Sequence, residues 1–353
     1  MNKKETQLLA LIQQNPYISQ QELADQLDLS RSAVAGYISN LMKDGVILGK
    51  AYVLNKLPTV LCIGGANLDR KLHVKGAFQW EDSNPVFGTE SYGGVARNIA
   101  ENLAKLQVET ALFTTIGMES SGQEMLRSLK NVDTSASIHV AGRNTGTYTA
   151  VLNEQNELMF ALAEMDIYDT LTLAMVKQHQ HKLRQASIIV MDTNFSKEVL
   201  EEVVKQKQAN QQLVIVPVSA KKMDRLPDSL HGITTMILNR TELQTISEGN
   251  SLEEHAYHLR EQGVENVIVT LGREGVAYFS ANESGTLEAI EVDVVDVTGA
   301  GDAFSSGVVF EMLRQSSLEA ACRAGLMVAS ETLKTDTTVA DHITRELLEG
   351  VEE

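Results

Sequence analysis

Cysteine is scarce in this chain of 353 residues. The two present, Cys62 and Cys322, sit in apolar surroundings, so they read as small core residues rather than a disulfide, and the cytoplasm is the expected compartment. No apolar run reaches the roughly 20 residues that span a bilayer. The opening Met1-Asn2-Lys3-Lys4-Glu5 turns at once into an amphipathic helical pattern rather than a secretory signal, so no membrane partner is expected. Basic charge is also short: 30 Lys and Arg stand against 47 Asp and Glu, a formal net charge of −17, which opposes nonspecific attraction to DNA or anionic lipid. Internal repeats and low-complexity stretches are missing. The length suits one large domain plus a small one, and a hydrophobic content of 43% is ordinary for a globular chain.

Against these absences stands one informative stretch, Asp296-Val297-Thr298-Gly299-Ala300-Gly301-Asp302-Ala303-Phe304. An alternating apolar run at 290–295 precedes it and an apolar-periodic run at 303–313 follows, which predicts strand, glycine turn and helix. Small residues let backbone N–H groups approach a ligand, and the first turn of a helix favours negative charge. An aspartate there is odd for a mere anion site. It makes sense where a phosphoryl group is held and Asp302 takes a proton from the attacking hydroxyl. Exposed charges are screened beyond roughly 8 Å, so backbone dipoles and Mg²⁺ inside a cleft, not net charge, decide whether an acidic chain binds an anion such as ATP. The P-loop pattern Gly-x₄-Gly-Lys-Ser/Thr does not occur, and a P-loop kinase is therefore unsupported.

Residues 1–55 read as a separate unit. Leu8, Leu9, Leu11 and Ile12 stripe a first helix that Pro16 breaks. Ser19 and Glu22 have capping-box spacing for a second helix. Ser30 can cap a third, with Val34, Ile38, Leu41 and Met42 on its buried face. Residues 46–54 alternate like a short hairpin with Gly49 at its turn, completing a winged helix-turn-helix, and 55–58 is a short linker. The remainder, 58–353, alternates short apolar strands (60–64, 111–116, 187–191, 213–216, 236–238, 267–270) with helices such as 98–106. This predicts an α/β fold, a mainly parallel sheet sandwiched by helices. Segments 68–87 and 147–162, the second turning at 153–156, break the alternation and predict a small antiparallel β lid, about 68–92 and 145–163.

A second glycine cluster, Gly93-Gly94-Val95-Ala96-Arg97-Asn98, opens the helical run. Its paired glycines bring N–H groups near a ligand, and Asn98 can both donate and accept toward a hydroxyl, although glycine pairs before helices are often only turns. Together, residues 92–117 and 296–309 resemble, in order and separation, the two signatures of the ribokinase-like (PfkB-type) carbohydrate kinases. One departure is Gln107, which stands where a glycine usually closes the helix and would carry about 1 kcal/mol of left-handed strain if the turn is kept. Asn239-Arg240-Thr241-Glu242, Thr270-Leu271-Gly272-Arg273-Glu274-Gly275 and Gly65-Ala66-Asn67-Leu68-Asp69 resemble further family elements. The likeness covers about 58–345.

The resemblance implies roles position by position. Asp302 is the base, and Gly299, Ala300 and Gly301 the anion hole. Asn67, Asp69, Gly93, Gly94 and Asn98 meet the sugar, with Asp192 and Asn194 where the family often places further substrate contacts. Asn239, Thr270, Gly272 and Gly275 line the nucleotide, ATP, and Glu242 reaches Mg²⁺ through water. Asp296 and Thr298 match positions that hold a monovalent cation, K⁺, in some relatives. Pairing of relatives through the lid implies a homodimer. The missing lysine at Val95, the Ser83-Asn84-Pro85 triplet and residues 163–172 resemble the pseudouridine kinase branch, so the expected reaction is phosphorylation of the ribose 5′-hydroxyl of pseudouridine. The alternatives are a kinase for a simple pentose or hexose, and a transcription regulator whose kinase-like domain senses a sugar or nucleoside. For the small unit, Arg31, Ser32, Tyr37 and Asn40 would face double-stranded DNA. Six basic against five acidic residues over 1–57 leave little electrostatic footprint, and a dimerisation or packing module is the alternative, but the two-domain pattern favours DNA binding. His179 with His181, and His255 with His258, read as solvated or packed rather than metal ligands.

Overall fold

The computed structural model describes residues 2–49 and 59–349. The chain forms two compact units, Met1–Leu57 and Pro58–Glu353. In the first, helices Lys3–Gln14, Gln20–Leu27 and Arg31–Lys43 enclose a core of Leu8, Ile12, Leu23, Val34, Ile38 and Leu41. Ser19 and Glu22 form the expected capping box, and the Ser30 hydroxyl accepts the Ala33 N–H at 3.1 Å. Met42, expected in that core, is instead exposed, because it lies beyond the edge of the stripe set by Val34, Ile38 and Leu41. The expected hairpin over 46–54 is described only to Gly49. Its remainder and the linker 55–58 lie outside the described residues.

The second unit is built on a nine-stranded sheet. Its order is Ser284–Leu287, Val276–Phe279, Asn266–Thr270, Thr235–Asn239, Gln212–Val216, Ile188–Asp192, Val60–Ile63, Thr110–Phe113 and Val132–Asp133. All neighbours are parallel except the first two strands, which form an antiparallel edge. Successive side chains of a strand point to opposite faces. Val60 and Cys62 therefore enter a core beneath helices Val95–Lys105, Ala300–Arg314 and Leu318–Leu333. Leu61 and Ile63 enter a second core with Phe113, Phe195 and Leu243 on the other face. Both faces being covered explains why these strands are apolar throughout.

A separate four-stranded sheet runs Val86–Gly93, Asn67–Val74, Thr147–Leu152 and Leu158–Glu164. Two antiparallel hairpins form it, the second turning at Asn153 and Asn156. The hairpins join through a parallel pair, Asn67–Val74 with Thr147–Leu152, where only antiparallel pairing was expected. Residues 111–116 are two strands rather than one: the chain leaves the large sheet at Thr114, and Thr115–Gly117 pairs with Ile138–Val140. The strand expected at 290–295 does not form. Ile290, Val294 and Val295 are exposed, and of this run only the Val295 N–H finds a backbone acceptor, on Leu333. Alternation alone did not supply a neighbouring strand. Gln107 has φ +62° and bonds back to Ala104, so the left-handed turn is kept without glycine. Among the described residues no helix is long and apolar enough to cross a membrane.

Candidate active site

Strands Val60–Ile63, Ile188–Asp192, Thr235–Asn239 and Asn266–Thr270 run parallel, so the residues that follow them gather at one end of the sheet, the end where open parallel sheets hold ligands. Gly64 and Gly65 leave the first strand there, Asp192 ends the second, Asn239 the third and Thr270 the fourth.

Two glycine turns meet at this end. Gly94, at φ +103°, precedes helix Val95–Lys105 and lies so close to the first turn that a Cβ would come within 2.3 Å of the Gly65 carbonyl oxygen. Gly299, at φ +84°, starts helix Ala300–Arg314, and a Cβ there would lie 2.1 Å from the Thr338 carbonyl oxygen. Thr338 also donates its hydroxyl to the Tyr92 carbonyl at 3.0 Å, tying the two turns together. The Ala300 and Ala303 N–H groups bond to Val297 and Gly299, whereas those of Gly301 and Asp302 have no acceptor among the described residues. Free N–H groups at a helix start are an anion site.

Asp302 sits on this first turn, partly open to solvent. Asn98 Nδ2 donates to its Oδ2 at 2.7 Å, which brings the two glycine motifs into one site. Removal from water pushes the Asp302 pKa from 3.8 up to about 7. The Asn98 hydrogen bond and the Arg97 charge oppose this rise, and the charges of Asp192 and Asp69 add to it. The difference corresponds to about 4 kcal/mol between the two protonation states. A carboxylate that titrates near neutrality is a base of suitable strength for an alcohol that loses its proton in the transition state. Asp69 is likewise pushed up to about 6 by burial, against the charge of Arg97, a hydrogen bond from Asn67 and the charge of Lys71.

Asp192 and Asn194, expected to touch substrate, are 1% and 4% exposed. The Asp192 carboxylate accepts N–H groups from Gly65 at 2.7 Å, Ala96 at 3.2 Å and Asn194 at 2.8 Å, and the Asn194 amide at 3.0 Å. These bonds tie the Gly65 and Ala96 turns to the end of the strand, so Asp192 organises the floor of the site. Gly275, expected at the nucleotide, is buried against the backbone of Leu287 and shapes a turn, while Gly272 is exposed and the Thr270 hydroxyl bonds to the Leu238 carbonyl. Gly93 is buried in register with Asn67.

Asn239 and Glu242 form a reciprocal helix cap: the Asn239 side chain accepts the Glu242 N–H, and Glu242 Oε2 accepts the Asn239 N–H, both at 2.9 Å. The second Glu242 oxygen has no protein partner among the described residues, which fits a metal held through water. No cluster of three acidic, histidine or cysteine ligands occurs among the described residues. Asp296 does not fit a bare cation. Its Oδ1 accepts the Thr298 N–H at 2.9 Å and hydroxyl at 2.7 Å, and its Oδ2 is ion-paired with Lys71. In the small unit Arg31, Ser32 and Asn40 are exposed, but Tyr37 packs partly against the core. Arg31 and Asn40 are nine residues apart, about half a turn around the helix, so they face opposite flanks.

Several site residues were missed. Arg97 is 5% exposed and donates from one nitrogen to the Tyr92 carbonyl and to Asn98 Oδ1 at 2.9 Å. That fixes the Asn98 amide so that its nitrogen points at Asp302. Its neighbourhood in the second glycine cluster was the signal. The Tyr168 hydroxyl, fully buried, donates to the Ala66 carbonyl and accepts its N–H. Lys71 carried no sequence signal, since its partner is 225 positions away.

Residues 57–344 match the family described as pfkB family carbohydrate kinase, and residues 1–47 match winged helix-turn-helix DNA-binding domains. An uncharacterized sugar kinase of Escherichia coli, YeiI, is 32% identical over 97% of this chain and 98% of its own length. The pseudouridine kinase of Escherichia coli is 32% identical over 70% of this chain and 82% of its own. Among solved structures, a carbohydrate kinase from Agrobacterium tumefaciens superposes with a TM-score of 0.74 at 25% identity, over 84% of this chain and 97% of that one.

Proposed function

The chain belongs to the pfkB family of ATP-dependent carbohydrate kinases, with an N-terminal winged helix-turn-helix domain, and from that premise we propose that it phosphorylates the ribose 5′-hydroxyl of pseudouridine. The observation that carries the chemistry is the Asp302 carboxylate on the first turn of helix Ala300–Arg314, beside two free N–H groups and bonded to Asn98. Phosphoryl transfer needs positioning and charge stabilisation more than covalent catalysis. The N–H groups of Gly301 and Asp302 receive the transferred group. Asp302 takes the proton of the acceptor hydroxyl. Asn67, Asp69 and Asn98 hold the sugar against the turn, with Asp192, Asn194 and Arg97 fixing their backbone and rotamers. Glu242, supported by Asn239, would hold Mg²⁺, which would offset phosphate charge.

The substrate reading is supported by identity to the pseudouridine kinase. It is also supported by residues 163–172, whose Tyr168 reaches the sugar-side turn at Ala66. A panel of pseudouridine, uridine, guanosine, ribose and fructose, each with ATP and product mass analysis, tests it. Pseudouridine is expected to give the highest kcat/KM, and faster turnover of ribose or fructose overturns the assignment. The small four-stranded sheet, read as a lid, leaves Phe87, Leu158, Met159 and Leu162 exposed, which supports pairing with a second copy. The winged helix-turn-helix match and the exposed Arg31 and Ser32 support a duplex-DNA partner. Absence of binding to any duplex at low salt overturns that second reading.

A further inference from the structure

The Asp296–Thr298 turn is held to the small sheet by one ion pair. Lys71 lies on strand Asn67–Val74, two positions beyond Asp69 and hence on the same face. Its ammonium bonds to Asp296 Oδ2, while Oδ1 is engaged twice by Thr298. Only about a third of Lys71 and a fifth of Asp296 side-chain surface is exposed, so the pair is partly withdrawn from water and its attraction is less screened than that of a surface pair. Three residues after Asp296 comes Gly299, the start of the phosphoryl-binding turn. The same ammonium also lies within electrostatic reach of Asp69. One tethered positive charge thus stands between the carboxylate on the sugar side and the carboxylate that braces the phosphate side.

We propose that Lys71 is a positioning residue whose ammonium fills the place of an exchangeable monovalent cation at the Asp296–Thr298 turn, so that the turn needs no K⁺ and is braced through the small sheet. This rests on the kinase reading of the site. Both Asp296 oxygens already have partners, and a bare ion would have to displace a covalently tethered charge that is always present at high local concentration. The brace also couples two parts of the cleft. A strand that carries the sugar-side Asp69 is tied to the loop that carries the phosphate-side N–H groups, so the two halves of the site are set at the distance that transfer requires.

The test uses the full chain, Lys71→Met and Lys71→Arg, in tetramethylammonium, sodium and potassium chloride at equal ionic strength. Melting is measured without ATP or acceptor, and kcat and KM are measured with them. Wild type is expected to show the same Tm and a kcat equal within about twofold in all three salts. Lys71→Met is expected to lose about tenfold or more in kcat in tetramethylammonium, to regain much of it in potassium, and to melt higher in potassium than in tetramethylammonium, with KM for ATP little changed. Lys71→Arg keeps the charge and is expected to stay close to wild type in every salt. A wild type that is activated about tenfold by potassium, or a Lys71→Met variant that is unimpaired, overturns the proposal. So does a variant impaired equally in all salts or chiefly in KM for ATP, which would make Lys71 a nucleotide contact. If wild type phosphorylates nothing on the panel, the kinase reading fails by itself, and the melting comparison still decides the cation question.

Discussion

Replacing Gly299 by alanine puts the geometry of the anion site under direct strain. At φ +84° an L-residue carries about 1–2 kcal/mol of backbone strain. The new Cβ would lie 2.1 Å from the Thr338 carbonyl oxygen and 2.8 Å from its Cα, both backbone atoms that cannot rotate away. The turn must therefore move, and since Thr338 also holds Tyr92, the second glycine motif moves with it. The combined cost is about 2–4 kcal/mol, or about 3–6 °C in Tm for a unit of this size. A displacement of the order of 1 Å at the reacting group lowers turnover about 100-fold. The matched control is Gly301→Ala. That residue is exposed, and a Cβ would meet no atom within 4 Å, so its Tm should stay at or slightly above that of wild type, alanine being the better helix former. Differential scanning fluorimetry and a coupled ADP assay read both variants. A Gly299→Ala protein with wild-type Tm and turnover would show that this turn is not held as described.

Two further outcomes follow from the carboxylates. Asp302 must be ionised to accept a proton, and its pKa is pushed up to about 7. The logarithm of kcat/KM should therefore climb with a slope of one through the acid range and level off near pH 7, whereas an ordinary carboxylate would give a plateau from about pH 5. Asp192→Ala leaves the buried N–H groups of Gly65 and Ala96 and the Asn194 side chain without their acceptor. Urea unfolding should show a loss of about 2–4 kcal/mol, with Asp192→Asn much milder, and equal stability of the alanine variant would remove the organising role assigned to this group.

Much of the architecture was legible because its causes are local. Strand and helix alternated in the apolar pattern, Ser19 and Ser30 were readable as caps, and the glycine clusters marked where backbone approaches a ligand. What failed to show were relations between distant segments. The run at 290–295 alternates like a strand, yet pairing depends on a neighbour that does not arrive. Asp192 and Asn194 had the right chemistry for a ligand, but the bonds by which Asp192 holds the Gly65 and Ala96 turns join segments about 100 positions apart. The parallel pairing of the two hairpins, and the meeting of Lys71 with Asp296, depend on how strands are ordered in space, which residue type and spacing do not encode. His179 and His181 read only as solvated or packed side chains, because their meeting depends on a break in the helix that spacing does not mark. Helices Leu173–Gln178 and Gln180–Gln185 meet at His179, and the two rings stack with centroids 6.5 Å apart.

The account rests on Asp302 acting as the base beside the Gly299–Gly301 turn. Folded-state linkage gives the Asp302→Asn variant a recognisable signature. The native chain binds a proton at Asp302 that the unfolded chain releases at lower pH, so this group's contribution to stability is fully present at low pH and is lost as pH rises through about 7. The neutral asparagine should therefore melt at or above the wild-type temperature at pH 8. Single-turnover transfer from saturating ATP to pseudouridine, measured by rapid quench at pH 8 on wild type and Asp302→Asn, is the most direct measurement. The predicted result is a rate lowered about 10²–10⁴-fold in a variant that remains folded and binds ATP normally. A transfer rate within about threefold of wild type would contradict it.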